Sequence, residues 1–446
     1  MGQIVDRPKF SCALGGAIAT LNALPRTVPI LHSAPGCGLN LSYAINGGSG
    51  YMGSGYCGGT ALSSSNICEK EIVFGGEDRL TEQIEKTIEL IDGDLYFVVS
   101  GCMVEMIGDD ITATARSIPV EGAVLLAAQT GGFKGNAYKG YDLVLQALFK
   151  EYVTIREDKS PTIVNLWGLV PAHDVFWQGN LRHLKKLLSR LGIKANTFFG
   201  EDETLEDLKN CGNASLNIVL SDTYGIGAAE TFREVHGTPY ITLSLPIGAH
   251  STDRFIDQVA DALSLEAEVS DRVKADGKKS YYNYLVRLSD LYNDYDLQRH
   301  AIIVGDANYT PALSRFVADD LGWLPELAII TDPLLENEKE KVLKRFDETV
   351  TGLKPEIVFN PDASAILPQI RRHWPADRNE PYYENLSSAV LLGSSFEWDL
   401  ALDINTPILC VCYPVTNRVV LNRGYACYAG ALSLVEDLLS ALVSLR

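Results

Sequence analysis

The 446-residue chain lacks several features that would assign a class of function directly. It has no apolar run of about eighteen residues or more, and a membrane-spanning helix needs roughly twenty. The N-terminus, MGQIVDRPKFSC, has no apolar stretch behind a basic start, so we expect a cytoplasmic protein with no secretory signal. No GxxxxGK(S/T) motif is present, so ATP binding by this chain is not predicted.

Basic residues are also scarce. The chain has 38 Lys and Arg against 57 Asp and Glu, a formal net charge of −19. Binding to a phosphate backbone needs clustered Lys and Arg, and no such cluster is present, so nucleic acid is not an expected partner. An acidic surface suits solubility and the steering of a protein partner that has a basic face.

None of the nine cysteines forms a CxxC pair. In a cytosolic chain they should be reduced, so each is a core thiol, a metal ligand or a nucleophile. Cys410 and Cys412 lie in an apolar run, and we predict two buried thiols on a strand. Cys57 and Cys68 lie in a Gly/Ser-rich loop with no histidine between them, and we interpret them as ordinary loop residues rather than metal ligands.

Short apolar runs that end in turn residues alternate with amphipathic stretches along the chain, which predicts an α/β fold of three Rossmann-like doubly wound domains with parallel sheets. The predicted domains are 1–155, 156–290 with a connecting helix from Asp271 to Arg299, and 291–446 with a C-terminal helix. Ligands bind such sheets beyond the carboxyl ends of the strands. Cys102, Ser221 and Asp306 follow predicted strands and are therefore candidate site residues, although Asp306 also fits a turn or helix cap.

Three cysteines lie in glycine-rich loops or directly after a strand. Cys12 is in FSCALGGA, Cys37 in HSAPGCGLNLS and Cys102 in VVSGCMVEMIGDD. Glycine lets the backbone approach a bulky inorganic group, and an iron–sulfur cluster is held by thiolates. Spacing alone leaves open the alternative of three buried thiols in a glycine-rich domain.

Polar residues close to these cysteines have structural interpretations. We predict His32, which precedes Cys37, to be a hydrogen-bonded histidine near a domain core. Glu105, Asp109 and Asp110 follow Cys102, and we predict that they cap a helix, with orientation of the cysteine loop as the alternative.

The loops APGCG, VFGGEDRL and SGCMVEMIGDDI, in that order, resemble the matching loops of the nitrogenase component 1 family. Residues 413–432, YPVTNRVVLNR to CYAGAL, and residues 303–316, IVGDANYTPALSRF, resemble its β-type subunit. The resemblance covers nearly the whole chain, and GCMVEMIGDD is its most specific segment.

This resemblance implies that Cys12, Cys37 and Cys102 hold one half of an iron–sulfur cluster of the P-cluster (8Fe–7S) type. An α-type partner subunit would supply the other ligands and hold the catalytic metal cofactor, in an α2β2 complex. A separate ATP-hydrolysing reductase protein with a 4Fe–4S cluster would deliver the electrons, and no nucleic acid or membrane takes part.

The chain departs from the family pattern at several positions. In QTGGFKG, Gly132 stands where molybdenum nitrogenase β subunits have a serine that can ligate the oxidised cluster. NRVVLNR keeps Arg418 and Arg423 but not the histidines of that motif. Ser221 stands where an α-type subunit has the cysteine that holds the catalytic cofactor, so this chain is not expected to hold that cofactor.

The type with the greatest resemblance is methylthio-alkane reductase, which implies reductive cleavage of a carbon–sulfur bond in a small organic sulfide. A nitrogenase β chain that acts on dinitrogen is one alternative. A scaffold for the assembly of a nitrogenase-type cofactor is a second alternative, and a metal-free Rossmann-like binding protein is a third.

Overall fold

Strands and helices alternate throughout the computed structural model, which describes residues 5–50, 62–294, 297–374 and 389–443. Within these ranges every pairing between strands is parallel, and the strands form three separate sheets flanked by helices. The predicted α/β class with parallel sheets is therefore confirmed, and the domain boundaries at 155/156 and 290/291 stay predictions. No helix in the described ranges is long and apolar enough to cross a membrane.

The first sheet has the strand order β2-β1-β3-β4. Its strands are β1 (Thr27–His32), β2 (Ser63–Ser64), β3 (Leu95–Ser100) and β4 (Val124–Ala128). The helices of this region are α1 (Ala13–Asn22), α2 (Pro35–Gly48), α3 (Glu69–Phe74), α4 (Glu77–Leu90), α5 (Cys102–Ile107), α6 (Ile111–Ser117) and α7 (Ala137–Glu151).

The second sheet has the order β6-β5-β7-β8. Its strands are β5 (Ser160–Trp167), β6 (Lys194–Asn196), β7 (Ala214–Val219) and β8 (Tyr240–Thr242). Its helices are α8 (Trp177–Arg190), α9 (Leu205–Asn210), α10 (Ile226–His236), α11 (Ala249–Leu263), α12 (Ala267–Leu285) and α13 (Ser289–Asp294). The connecting helix predicted for 271–299 is divided in the structure: α12 begins earlier, at Ala267, and a 3-10 turn at Val286–Leu288 separates it from α13. Residues 297–299 are not helical.

The third sheet has five strands in the order β11-β10-β9-β12-β13. They are β9 (His300–Gly305), β10 (Leu324–Ile330), β11 (Glu356–Phe359), β12 (Ala389–Gly393) and β13 (Ile408–Cys410). Its helices are α14 (Tyr309–Arg315), α15 (Glu336–Phe346), α16 (Ile366–His373), α17 (Trp398–Asp403) and α18 (Cys427–Val443).

Burial of β3 explains its continuous apolar sequence, LYFVVS. Leu95, Phe97 and Val99 belong to the main hydrophobic core, whereas Tyr96 and Val98 belong to a second core on the opposite face of the sheet. Both faces are covered by helices, so alternation of apolar and polar residues is neither needed nor present. A strand buried in this way holds the residues that follow it in a fixed position.

Close backbone contact joins α1 to α7. A Cβ atom added to Gly16 would lie 1.8 Å from the Ala137 carbonyl oxygen, so no residue larger than glycine fits at this position. The amide of Ala13 donates to the Gly135 carbonyl over 2.9 Å, and Cys12 pairs with Asn136 in an isolated bridge. The start of α1 is therefore fixed against the loop that precedes α7.

Candidate metal centre

The three predicted cysteines lie at the N-terminal ends of three helices. Cys12 is the N-cap of α1, Cys37 is the third residue of α2, and Cys102 is the first residue of α5. Because α2 follows β1 and α5 follows β3, Cys37 and Cys102 lie at the carboxyl edge of the first sheet. All three are half-buried, and the partial positive charge of a helix N-terminus favours a thiolate there.

Gly132 lies between Cys12 and Cys102. Its amide donates a hydrogen bond to the Cys102 Sγ over 3.1 Å. A Cβ atom added to Gly132 would lie 3.1 Å from the Cys12 Sγ and 3.2 Å from the Cys102 Sγ. The two sulfurs therefore approach the same point, and the absence of a side chain at position 132 leaves that point open.

Cys37 lies on a helix that packs against α1. Leu41, one turn after Cys37, would contact a Cβ atom at Gly15 of α1 at 2.9 Å, so the face of α2 that carries both residues turns toward α1. Within the described ranges, no three His, Cys, Asp or Glu residues are grouped closely enough to hold a single metal ion. The structure thus brings Cys12 and Cys102 together and places Cys37 on the neighbouring helix. The cysteines of a multi-iron cluster bind different iron atoms, and this thiol set is compatible with that arrangement.

Glu105 fixes the loop that contains Gly132. Its Oε1 accepts hydrogen bonds from the Ser100 hydroxyl and the Gly131 amide, each 2.6 Å long. Its Oε2 lies 2.9 Å from the Lys134 Nζ, in an ion pair in which the Glu105 side chain is only 6% exposed. Glu105 does not cap α5, and the loop that it orients is the one with Gly131 and Gly132 rather than the loop with Cys102. Lys134 was not identified from the sequence, and its only signal there was its place two residues after Gly132.

His32 links three of the loops that carry the family resemblance. Its Nδ1 and Nε2 lie 3.0 Å from the Ser65 hydroxyl and from Asp109 Oδ2, and it is fully buried. Burial lowers the pKa of His32 despite the nearby Asp109 carboxylate, so the ring is neutral at physiological pH. Asp109 also accepts the Gly76 amide at 3.0 Å. The predicted buried histidine is confirmed.

Of the two aspartates after Cys102, only Asp110 caps a helix. Its Oδ1 accepts the amides of Thr112 and Ala113 at the start of α6. Asp109 instead binds His32 and Gly76, so the capping prediction was wrong for Asp109. The sequence does not distinguish these roles, because both residues directly precede the same helix.

Exposed apolar side chains are numerous on the elements that carry the cysteines. They come from α2, α3, α5 and the Gly132 loop. They are Leu39 (61% exposed), Tyr43 (63%), Val73 (72%), Phe74 (82%), Met106 (78%) and Phe133 (62%). We call this set the apolar rim. Exposed apolar side chains on the elements that carry the cysteines are compatible with burial of this region against another chain.

Two other candidate positions have structural roles. The Ser221 hydroxyl accepts the amides of Thr223 and Tyr224, and Asp306 Oδ1 accepts the amides of Asn308 and Tyr309. Both residues therefore stabilise turns after strands, as one of the two interpretations of Asp306 predicted.

The arginines kept in the C-terminal motif serve as ion-pair partners. Arg418 and Arg423 both bind Asp437 on α18, together with the Tyr425 hydroxyl. Burial alone would raise the pKa of Asp437, but these hydrogen bonds outweigh it and lower the pKa. The motif thus fixes the terminal helix.

Three further cysteines that the structure describes, Cys68, Cys410 and Cys412, have other surroundings. Cys410 and Cys412 are buried as predicted, although β13 ends at Cys410 and only this cysteine lies in the strand. Cys68 is exposed, and its Sγ donates to the Asn66 carbonyl over 3.3 Å. Cys57 and the glycine-rich segment around it fall on residues 51–61, outside the described ranges.

None of the predicted site residues lines the apolar groove beside the C-terminal helix α18. This groove of about 740 Å³ lies between the end of α12 and α18 and is lined mainly by leucines and valines, together with Tyr284. Cys12, Cys37 and Cys102 are half-buried and lie outside this groove.

Comparison with known proteins shows the family of the chain. A family model described as nitrogenase component 1 type oxidoreductase matches residues 12–443. The nitrogenase molybdenum-iron protein beta chain of Methanococcus maripaludis is 24% identical over 475 residues, covering 98% of this chain and 94% of that protein. The nitrogenase iron-molybdenum cofactor biosynthesis protein NifE of Methanococcus maripaludis is 27% identical over 319 residues, covering 71% of this chain and 64% of that protein.

A solved structure described as nitrogenase Cp1 at pH 6.5 superposes with a TM-score of 0.79 and 20% sequence identity, covering 100% of this chain and 94% of the other. This likeness shows that the fold is shared. The match over residues 12–443 shows that the chain belongs to the nitrogenase component 1 type oxidoreductases. Its similarity to the nitrogenase molybdenum-iron protein beta chain extends over nearly the whole length of both chains.

Proposed function

We propose that this chain is the β-type subunit of a nitrogenase-like reductase and that Cys12, Cys37 and Cys102 hold its half of a P-cluster-type iron–sulfur cluster. When bound, such a cluster stores electrons and passes them on singly to a catalytic cofactor. The observation that carries the proposal is the approach of the Cys12 and Cys102 sulfurs to one point beside Gly132.

The chain's own residues contribute binding, shielding and electrostatics. Three helix N-termini stabilise thiolate charge, and the Gly132 amide donates to one of the sulfurs. The half-buried cysteines and the apolar rim fit an α-type partner subunit that completes the site and excludes water from it. In this proposal the partner holds the catalytic metal cofactor, two αβ units form an α2β2 complex, and a separate ATP-hydrolysing 4Fe–4S protein supplies electrons.

For the substrate we propose a small methylthio-alkane. Reductive cleavage of its carbon–sulfur bond takes up two electrons and two protons and yields a thiol and a hydrocarbon. Gly132 supports a reaction other than that of the molybdenum enzymes. Their β subunits have at this position a serine that can ligate the oxidised cluster, and glycine has no side chain that could act as this additional oxygen ligand. Dinitrogen is the alternative substrate, and the 24% identity to a molybdenum-iron protein beta chain favours it.

A scaffold for cofactor assembly is a second candidate function. The observation that favours it is the 27% identity to a cofactor biosynthesis protein over 71% of this chain. A scaffold would bind a cluster and a partner but would not turn over substrate. The amount of iron and the presence of turnover therefore separate the two functions.

The test is a measurement of iron and acid-labile sulfide on the complex purified anaerobically with its partner, combined with low-temperature EPR of reduced and oxidised samples. We expect more iron than a single four-iron cluster per αβ unit and a signal that appears on oxidation. Assays with the reductase component then compare release of a thiol and a hydrocarbon from methylthio compounds with ammonia formation from dinitrogen.

Two cysteine variants make this test specific to the site. Cys37→Ala should lose iron and the partner together, whereas Cys68→Ala, at an exposed thiol outside the site, should keep both. Iron equivalent to one small cluster and no turnover would favour the scaffold. A complex without iron, or a Cys37→Ala variant with full iron content, would rule out the cluster proposal.

A further inference from the structure

We infer that Glu105 is a positioning residue that sets the reduction potential of the cluster by holding the Gly132 amide against the Cys102 sulfur. This inference rests on the proposed function and adds a role for a residue that binds no iron. Glu105 lies three residues after Cys102, within one turn of α5, and its carboxylate reaches across to the loop before α7.

The first step of the argument is the set of contacts made by one carboxylate oxygen. Glu105 Oε1 accepts both the Gly131 amide and the Ser100 hydroxyl at 2.6 Å. Ser100 in turn accepts the Thr130 amide through its hydroxyl at 3.1 Å and the Thr130 hydroxyl through its carbonyl at 2.9 Å. The end of β3 and the Thr130–Gly131 segment are thus joined through Glu105 and Ser100.

The second step is the consequence for the next peptide. Once the Gly131 amide is held by Glu105, the orientation of the following peptide unit is restricted, and the Gly132 amide points at the Cys102 Sγ over 3.1 Å. Neither Gly131 nor Gly132 has a side chain that could fix this orientation locally. The Lys134 amide donates to the Gly131 carbonyl over 2.9 Å and holds one side of this peptide unit. Glu105 holds the amide that precedes it, so the two contacts together set the direction of the Gly132 amide.

The third step concerns the sign of the effect. A hydrogen bond to a cluster sulfur stabilises negative charge, and the reduced cluster is the more negative form. Loss of the Gly132 hydrogen bond should therefore make reduction harder and lower the midpoint potential. Lys134 pairs with Glu105 Oε2 and also donates to the Gln129 carbonyl and side chain. Its position therefore does not depend on Glu105 alone, so the charge of Glu105 and the reach of its side chain can be varied separately.

The experiment uses two substitutions that separate reach from charge. Glu105→Asp keeps the charge but shortens the side chain by one methylene group, so the carboxylate no longer reaches the Gly131 amide. Glu105→Gln keeps the reach and an accepting oxygen but removes the charge. EPR-monitored redox titration of the purified complex should show a lower midpoint potential for Glu105→Asp. For Glu105→Gln the potential should be equal to or above the wild-type value, because loss of a nearby negative charge favours the reduced cluster.

Glu203 offers a matched control in the second sheet region. Its Oε1 accepts the Thr197 hydroxyl at 2.9 Å and amide at 3.3 Å, and it pairs with Lys185 at 2.8 Å, so it makes the same kinds of contact away from the cysteines. Glu203→Asp should leave the potential unchanged. A wild-type potential in Glu105→Asp, or an equal shift in Glu105→Gln, would overturn the inference. Absence of iron from the wild-type complex would instead contradict the proposed function.

Discussion

His32 and Asp109 are joined by a hydrogen bond of 3.0 Å between Nε2 and Oδ2 in the buried interior of the first sheet region. His32 ends β1, and Asp109 follows the helix that begins with Cys102. Since Asp109 also holds the Gly76 amide, one carboxylate joins the loops after β1, α3 and α5. The loops that present Cys37 and Cys102 are therefore fixed relative to each other by a residue that is not a ligand.

Asp109→Ala should destabilise the complex and reduce its iron content. The substitution leaves the His32 ring nitrogen and the Gly76 amide without a partner in a buried region, at a cost of about 1–3 kcal/mol for each unpaired group. The measurements are melting temperature and iron per αβ unit. Asp110→Ala is the neighbouring control, since it removes only a helix cap, worth about 1 kcal/mol, and should keep full iron content. Equal iron loss in both variants would argue against a specific role for Asp109.

Gly132→Ala should impair cluster binding without straining the backbone. Gly132 is not among the residues with positive φ, so alanine can adopt its conformation, but the added methyl group would lie within 3.2 Å of both cysteine sulfurs. We expect iron content to fall or the EPR signal of the oxidised state to change shape. Gly47→Ala is the control, because a Cβ atom there meets no described group within 4 Å. Unchanged iron and spectra in Gly132→Ala would show that Cys12 and Cys102 do not share a site.

The sequence predicted the parallel α/β class correctly, because buried strands such as LYFVVS are apolar over their whole length and end in turn residues. It also selected Cys12 and Cys102, the pair that the structure brings together. It could not predict the role of Glu105 or of Lys134, because their contacts cross from α5 to a loop about 25 to 30 residues away in the sequence. Local patterns reveal helix caps, as at Asp110, but not hydrogen bonds between separate elements.

Phe74→Asp should weaken association with the α-type partner. Phe74 is 82% exposed at the end of α3 and belongs to the apolar rim. If the partner covers this ring, the substitution buries a carboxylate in its place, which is unfavourable. Co-purification of the partner and size-exclusion chromatography measure the effect. Leu335, 66% exposed in the third sheet region, provides the control variant Leu335→Asp, which should keep the partner. Retention of the partner by Phe74→Asp would exclude Phe74 from the interface.

The stability of the complex should decrease with rising pH through the buried Asp332. Burial, reinforced by the nearby Asp306, raises the pKa of Asp332 to about 8, and the Tyr224 hydroxyl and the Ala307 amide donate to its Oδ2. The unfolded chain loses this proton near pH 4, whereas the folded chain keeps it up to about pH 8. The contribution of Asp332 to the free energy of unfolding is therefore fully present below pH 4 and is lost progressively as pH rises toward 8.

Asp332→Asn removes this dependence. Between pH 6 and 8 the wild type should lose about 1.4 kcal/mol of stability per pH unit relative to the variant, and melting temperatures across this range measure the difference. Asp362→Asn serves as the control, since the Ser364 amide and other donors lower the pKa of Asp362 to about 2 and it does not titrate in this range. Parallel pH profiles for wild type and Asp332→Asn would mean that Asp332 is already ionised in the folded protein, with its charge compensated by the Tyr224 hydroxyl and the Ala307 amide.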